Sequence, residues 1–191
     1  ISFDRHLYYP LLALSHKDAV PLKLRPLAFD APSEWEFVRD LEAFYNSPDG
    51  QQAIGQRSLY LLRNADREEK GLGFALAGNF YPDFLLWLVD DVTGKQWLTF
   101  VDPKGLRNLD LSHPKLGLHK EVKTLEQTLA AQAKPDEPPL ILNAFVLSPT
   151  KFSDLLNVGD PKKKEELENQ HVLFMDTGGS NYLKKLFAVL A

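Results

Sequence analysis

The apolar positions of this chain fall into helix-period and strand-period segments that alternate along its length. Trp35, Phe37, Val38, Leu41, Phe44 and Tyr45 recur at helical spacing and predict an amphipathic helix. Ser33 with Glu36 supplies a capping box for its start, and Pro48-Asp49-Gly50 predicts a turn after it. Strand-like runs follow at 58–64, 80–88 and 97–105, the last two joined by the hairpin signal of Asp90-Asp91-Val92-Thr93-Gly94-Lys95. Residues 105–118 read as a loop, and 119–133 as a helix with Val122, Leu125, Leu129 and Ala133 on one side. A proline-rich linker at 134–139 leads into 140–147, an apolar strand expected to be buried on both faces. A charged helix at 161–170, a short strand at 171–175 and a closing helix at 181–190 complete the pattern. The order helix, three strands, helix, strand predicts an α/β layered domain with a mixed sheet: a meander of three strands, then a crossover helix to a fourth.

Composition narrows the class. The chain has 191 residues, 44% of them hydrophobic, enough for one domain with an ample core. Residues 1–32 carry four prolines (Pro10, Pro21, Pro26 and Pro32) and are expected to form an N-terminal arm or linker from a larger protein, leaving 33–191 as the domain. The opening residue, Ile1 rather than Met, fits an excised piece. No apolar run approaches the ~20 residues needed to span a bilayer, so no membrane partner is expected. Zero cysteines exclude disulfides and thiolate metal sites. A net charge of −4 argues against a wholly basic nucleic-acid module, yet leaves room for a nuclease, whose metal ligands are themselves acidic.

The candidate chemistry lies at the ends of the two central strand runs. Phe80-Tyr81-Pro82-Asp83-Phe84 places one aspartate in the first, and Phe100-Val101-Asp102-Pro103-Lys104-Gly105 places an aspartate and a lysine in the second. Two carboxylates suit a hard divalent cation such as Mg²⁺, which takes one or two of them plus water and substrate phosphate. Alternation along a strand sends Asp102 and Lys104 to the same side, bringing an ammonium beside the carboxylates. Pro103 suits the frayed end of a strand, and Gly105 permits a turn. Two carboxylates and one amine are the minimal set for metal-assisted phosphodiester cleavage. The bland alternative is a pair of turn aspartates with a solvated lysine.

Element order and the Pro-Asp…Asp-x-Lys residues together resemble the PD-(D/E)xK nuclease superfamily. The likeness is closest to the C-terminal endonuclease region of type III restriction enzymes and restriction-type helicases. It is carried by Asp4-Arg5-His6-Leu7-Tyr8 with Pro10-Leu11, Glu34-Trp35-Glu36-Phe37-Val38-Arg39-Asp40-Leu41, Leu61-Leu62-Arg63-Asn64, Phe80-Tyr81-Pro82-Asp83 and Phe100 to Gly105, roughly residues 4 to 105. The resemblance implies a restriction-endonuclease-like αβββαβ core with C-terminal additions. It further implies a Mg²⁺-dependent (Mn²⁺ substituting) DNA endonuclease acting on double-stranded DNA in a prokaryotic cytoplasm. A helicase or translocase in the same or a partner chain would deliver the duplex, and two such domains would pair for double-strand cleavage. The superfamily also tends to use a first-helix glutamate. At about 100° per residue, Glu34 points with the apolar stripe, Glu42 lies on its flank and Glu36 nearly opposite, so Glu34 is the candidate to join Asp83 and Asp102 at the metal. Its alternative role is a first-turn acid on the helix dipole.

Other residues carry weaker signals. Arg63, Arg107 and Lys115 are candidate phosphate contacts, with a solvated surface as the alternative. Tyr81, Trp87 and Trp97 read as packing, and His113 and His119 lack metal-ligand spacing. Lys162-Lys163-Lys164 before Glu165, Glu166 and Glu168 reads as a self-paired solvated helix face. Gly178-Gly179-Ser180 lacks the lysine of a phosphate loop and reads as a turn. Two rivals remain: a structure-specific repair nuclease using the same site, and a non-catalytic DNA-binding or protein-docking module on a nuclease-like fold.

Overall fold

The computed structural model describes residues 31–64, 81–104, 114–155, 161–175 and 180–191. The predicted N-terminal arm, apart from its last two residues, and the Gly178-Gly179 turn therefore lie outside the described residues. Numbered in chain order, the elements are α1 (Pro32–Tyr45), α2 (Pro48–Ile54), β1 (Ser58–Arg63), β2 (Phe84–Val89), β3 (Gln96–Pro103), α3 (Leu118–Gln132), β4 (Leu140–Ser148), α4 (Pro161–Asn169), β5 (Val172–Phe174) and α5 (Asn181–Val189). Single 3₁₀ turns occupy Pro114–Gly117 and Phe152–Asp154. No described helix is long and apolar enough to cross a membrane.

The five strands form one mixed sheet in the order β1-β2-β3-β4-β5, antiparallel through β3 and parallel from β3 to β5. The expected meander and crossover are both present, and the short strand at the C-terminal side adds a fifth member. Asp90 shapes the hairpin between β2 and β3: its carboxylate accepts from the Val92 and Thr93 amides, and Gly94 adopts φ 71°. The parallel step from β3 to β4 requires a long crossover, which α3 supplies.

Strand alternation divides the core in two. Leu59 and Leu61 of β1, Phe84, Leu86 and Leu88 of β2, Trp97 and Val101 of β3 and Phe145 and Leu147 of β4 face one side, packed against α1, α2 and α5. Phe100, Leu142 and Ala144 face the other, covered by Leu118 and Val122 of α3. Val146, Val172 and Phe174 continue that second side toward α4 through Leu167. β4 is thus buried on both faces, as its apolar run predicts.

Several local expectations are corrected. The helix α1 starts at Pro32 with Ala31 as N-cap and no side-chain cap, so Ser33 and Glu36 form no capping box. Ser33 is instead buried and donates from Oγ to the Pro103 carbonyl at 3.0 Å, anchoring the helix start to the end of β3. Trp35 leaves the apolar stripe and is exposed; Phe37, Leu41 and Phe44 carry it inward. The Pro48-Asp49-Gly50 turn is the first turn of a helix, with Ser47 accepting from the Gly50 amide at 3.1 Å and Pro48 at its opening position. In α3 only Leu118 and Val122 are buried, while Leu125 and Leu129 stay exposed. From the charged helix α4, Glu168 accepts from Lys185 of α5 at 2.6 Å, and Lys164 lies over the Phe174 ring. Trp97 is core as expected, whereas Trp87 is exposed.

Candidate functional site

Asp83, Asp102, Lys104 and Glu34 meet at one end of the sheet, each brought there by a separate piece of local structure. Asp102 is the penultimate residue of β3 and is fully buried. By alternation it shares the face of Leu98 and Phe100, the side that α3 covers. Lys104 follows just beyond the strand, tied through its amide to the Leu147 carbonyl at 2.8 Å, and its ammonium lies 3.7 Å from Asp102 Oδ1. The lysine side chain is half exposed, so the cation caps a buried carboxylate from the solvent side.

Asp83 sits immediately before β2 and not inside a strand; β2 begins at Phe84. Its backbone is nonetheless fixed. Asn64, one residue past β1, donates its amide to the Asp83 carbonyl at 2.8 Å and its Nδ2 to the Pro82 carbonyl at 2.8 Å. One step beyond the Phe84–Val101 register pair, Asp83 therefore stands across from Asp102, close enough for each carboxyl to act on the other. Burial, then the neighbouring Asp102 carboxyl through hydrogen bonding and charge, then the charge of Glu34, push the Asp83 carboxyl up to about 7, with Lys104 acting in the opposite direction.

Glu34 faces inward, as the helical-wheel argument predicts, and is nearly buried. Its Oε2 lies 2.9 Å from Arg63 Nη2, while Arg63 Nη1 lies 3.5 Å from Asp83 Oδ1 and 3.4 Å from the Asp83 carbonyl. The Arg63 guanidinium rests over the Phe84 ring, 5.0 Å from its centroid. Arg63, expected at a phosphate-contacting surface, is thus turned inward and bridges two carboxylates. The signal was available in the sequence: Leu59, Leu61 and Arg63 alternate on β1, so the arginine ends the core-facing row. Arg107 lies outside the described residues. Lys115 falls in the 3₁₀ turn at Pro114–Gly117, whose Leu116 packs on Val146, the β4 register partner of Asp102. His119 is engaged elsewhere, its Nδ1 at 3.0 Å from the Leu116 carbonyl and its ring 5.3 Å from that of His171.

No family model, curated protein or solved structure matches this chain. Among the described residues no three carboxylate, imidazole or thiolate groups are gathered at metal-ligating geometry. The fit to a divalent cation rests on the carboxyl pair itself: two acids held in contact are strained as anions, and a dication bound between them removes that strain.

The raised Asp83 carboxyl has a consequence for stability. Its folded value, about 7, lies above the ordinary 3.8, so the folded state holds the proton more tightly than the unfolded chain. The stabilisation is fully present below about pH 4 and is lost as pH rises through about 7. Without divalent cations, wild type should lose on the order of 2 kcal/mol relative to Asp83→Asn between about pH 5 and pH 8, the figure being discounted for partial exposure. Thermal melts across that range check it; parallel curves for the two proteins would refute it.

Proposed function

We propose that this chain is a divalent-cation-dependent DNA endonuclease domain with a restriction-endonuclease-like core of the PD-(D/E)xK type. The observation that carries the reading is Asp83 standing across from the buried Asp102 at the sheet end, with the Lys104 ammonium 3.7 Å from Asp102 Oδ1. Asp83 and Asp102 would hold Mg²⁺, or Mn²⁺ in its place; the bound cation supplies Lewis-acid charge at the phosphodiester. The chain's own groups do the remainder. Asp102, fully buried, fixes the Lys104 ammonium at the open side of the pair. Lys104 presents its N–H donors to solvent there, where it orients a water and balances charge building on the phosphate oxygens. Asn64 holds Asp83 in place through the two bonds to the Pro82-Asp83 segment. The αβββαβ order supports the same class. Double-stranded DNA as substrate, delivery by a helicase or translocase part, and pairing of two domains for double-strand cleavage belong to this proposal through the motif resemblance.

A second reading has one observation in its favour. Tyr60, Leu62 and Trp87 leave an apolar strip exposed on β1 and β2, as a non-catalytic docking module would.

Plasmid nicking separates the two. Supercoiled DNA should be nicked with Mg²⁺ or Mn²⁺ and not with EDTA, and Lys104→Ala should lower the rate at least ~10²-fold. Metal-dependent nicking that survives Lys104→Ala unchanged removes the lysine from the mechanism and the site assignment with it.

A further inference from the structure

We infer that Arg63 is a built-in cation of this site, which withholds Glu34 from the ligand set and limits the centre to one divalent ion between Asp83 and Asp102. The inference rests on the proposed role of those two aspartates. It departs from the expectation that Glu34 completes the metal shell.

The geometry points this way in three respects. First, Glu34 is already matched. Its carboxylate is nearly buried, and a buried carboxylate requires a hydrogen-bonded cation, which Arg63 supplies at 2.9 Å. Second, Arg63 cannot turn away cheaply. It ends the core-facing row of β1, lies over the Phe84 ring and donates to the Asp83 carbonyl, so its position is fixed by strand, ring and backbone together. A planar guanidinium makes those contacts at once; a lysine ammonium would not. Third, Glu34 and Asp102 reach the sheet end from different layers. Glu34 comes from α1, on the face of Leu59, Leu61 and Phe84, whereas Asp102 lies on the face that α3 covers. Arg63 spans the boundary, one nitrogen toward Glu34 and another toward Asp83. A second divalent ion beside Glu34 would have to take the place the guanidinium holds. Arg63 is accordingly a fixed charge on one side of Asp83, while Lys104 lies beside Asp102.

Calorimetric titration of Mn²⁺ into the metal-free chain tests this. Wild type should bind one ion. Glu34→Gln should change the affinity by less than about tenfold, because the glutamate is no ligand. Arg63→Met should tighten binding by about tenfold or add a second ion, since Glu34 becomes available, and adding Glu34→Gln to that variant should reverse the gain. A merely structural arginine would leave affinity unchanged or weaken it. Two ions in wild type, or a loss greater than about tenfold in Glu34→Gln, overturns the inference while leaving the carboxylate pair as the metal site. Because Glu34→Gln and the wild-type stoichiometry decide the matter, a poorly folded Arg63→Met does not stall it. Absence of any Mn²⁺ binding in wild type is a different result: it removes the proposed function and this inference together.

Discussion

Asp102→Asn is expected to reduce metal-dependent plasmid nicking by at least ~10³-fold while raising the melting temperature of the cation-free protein near pH 8. The two effects have one cause. Asp102 is fully buried across from Asp83, whose proton affinity it raises through hydrogen bonding and through its charge. Above about pH 7 the Asp83 carboxyl is pressed toward ionisation beside the charge of Asp102 in a site with little water, which costs folding free energy. Asparagine keeps the shape, removes the charge and lets the Asp83 carboxyl return toward its ordinary range. The same change removes half of the pair that would hold the cation and the anion that fixes Lys104 at 3.7 Å. A variant both less active and more stable is the signature of a site selected for chemistry. If Asp102→Asn instead melts lower and nicks normally, Asp102 is a structural residue and the site assignment fails.

Gly50→Ala is expected to be the most damaging small substitution in the scaffold. A Cβ at Gly50 would lie 1.8 Å from the Phe44 carbonyl oxygen and 2.6 Å from its carbon, so the conflict is with backbone and not with a side chain that can rotate away. Relief requires α2 to move off the end of α1. That corner positions Phe44, whose ring packs 5.1 Å from Phe187 of α5, and Ile54, both in the larger core. A loss of about 3 kcal/mol or more follows, a fall of roughly 6–12 °C in melting temperature for a chain of this size. Gly117→Ala is the control, since a Cβ there meets nothing within 4 Å. Equal melting temperatures for the two variants would contradict the account of this corner.

Much of this architecture was legible because burial enforces period. Leu59 and Leu61 alternate with exposed positions on β1, and Phe37, Leu41 and Phe44 recur at helical spacing on α1, so hydrophobic burial alone writes these elements into the sequence. The largely apolar run of β4 reads as a doubly covered strand for the same reason. The motif residues were legible too: Asp83 and Asp102 do come together, and helix geometry alone selects Glu34 as the inward glutamate. Less was visible where the decisive partner is distant in sequence. Ser33 looked like a local cap because its real acceptor, the Pro103 carbonyl, is seventy residues away. Ser47-Pro48 carried a helix-start signal that Asp49-Gly50 masked, since both patterns use the same residue types. Arg63 was the largest miss. An arginine at a strand end reads as solvated until a buried glutamate from another layer is placed beside it, and only the assembled sheet does that.

The measurement that reaches the central claim most directly is calorimetric titration of Mn²⁺ into wild type and Asp102→Asn near pH 8, without DNA. Cleavage of DNA by the isolated chain would depend in addition on how the duplex is delivered, whereas cation binding depends on the carboxylate pair alone. The account predicts saturable binding in wild type that is lost in Asp102→Asn. Identical titrations for the two proteins, with or without binding, would contradict it.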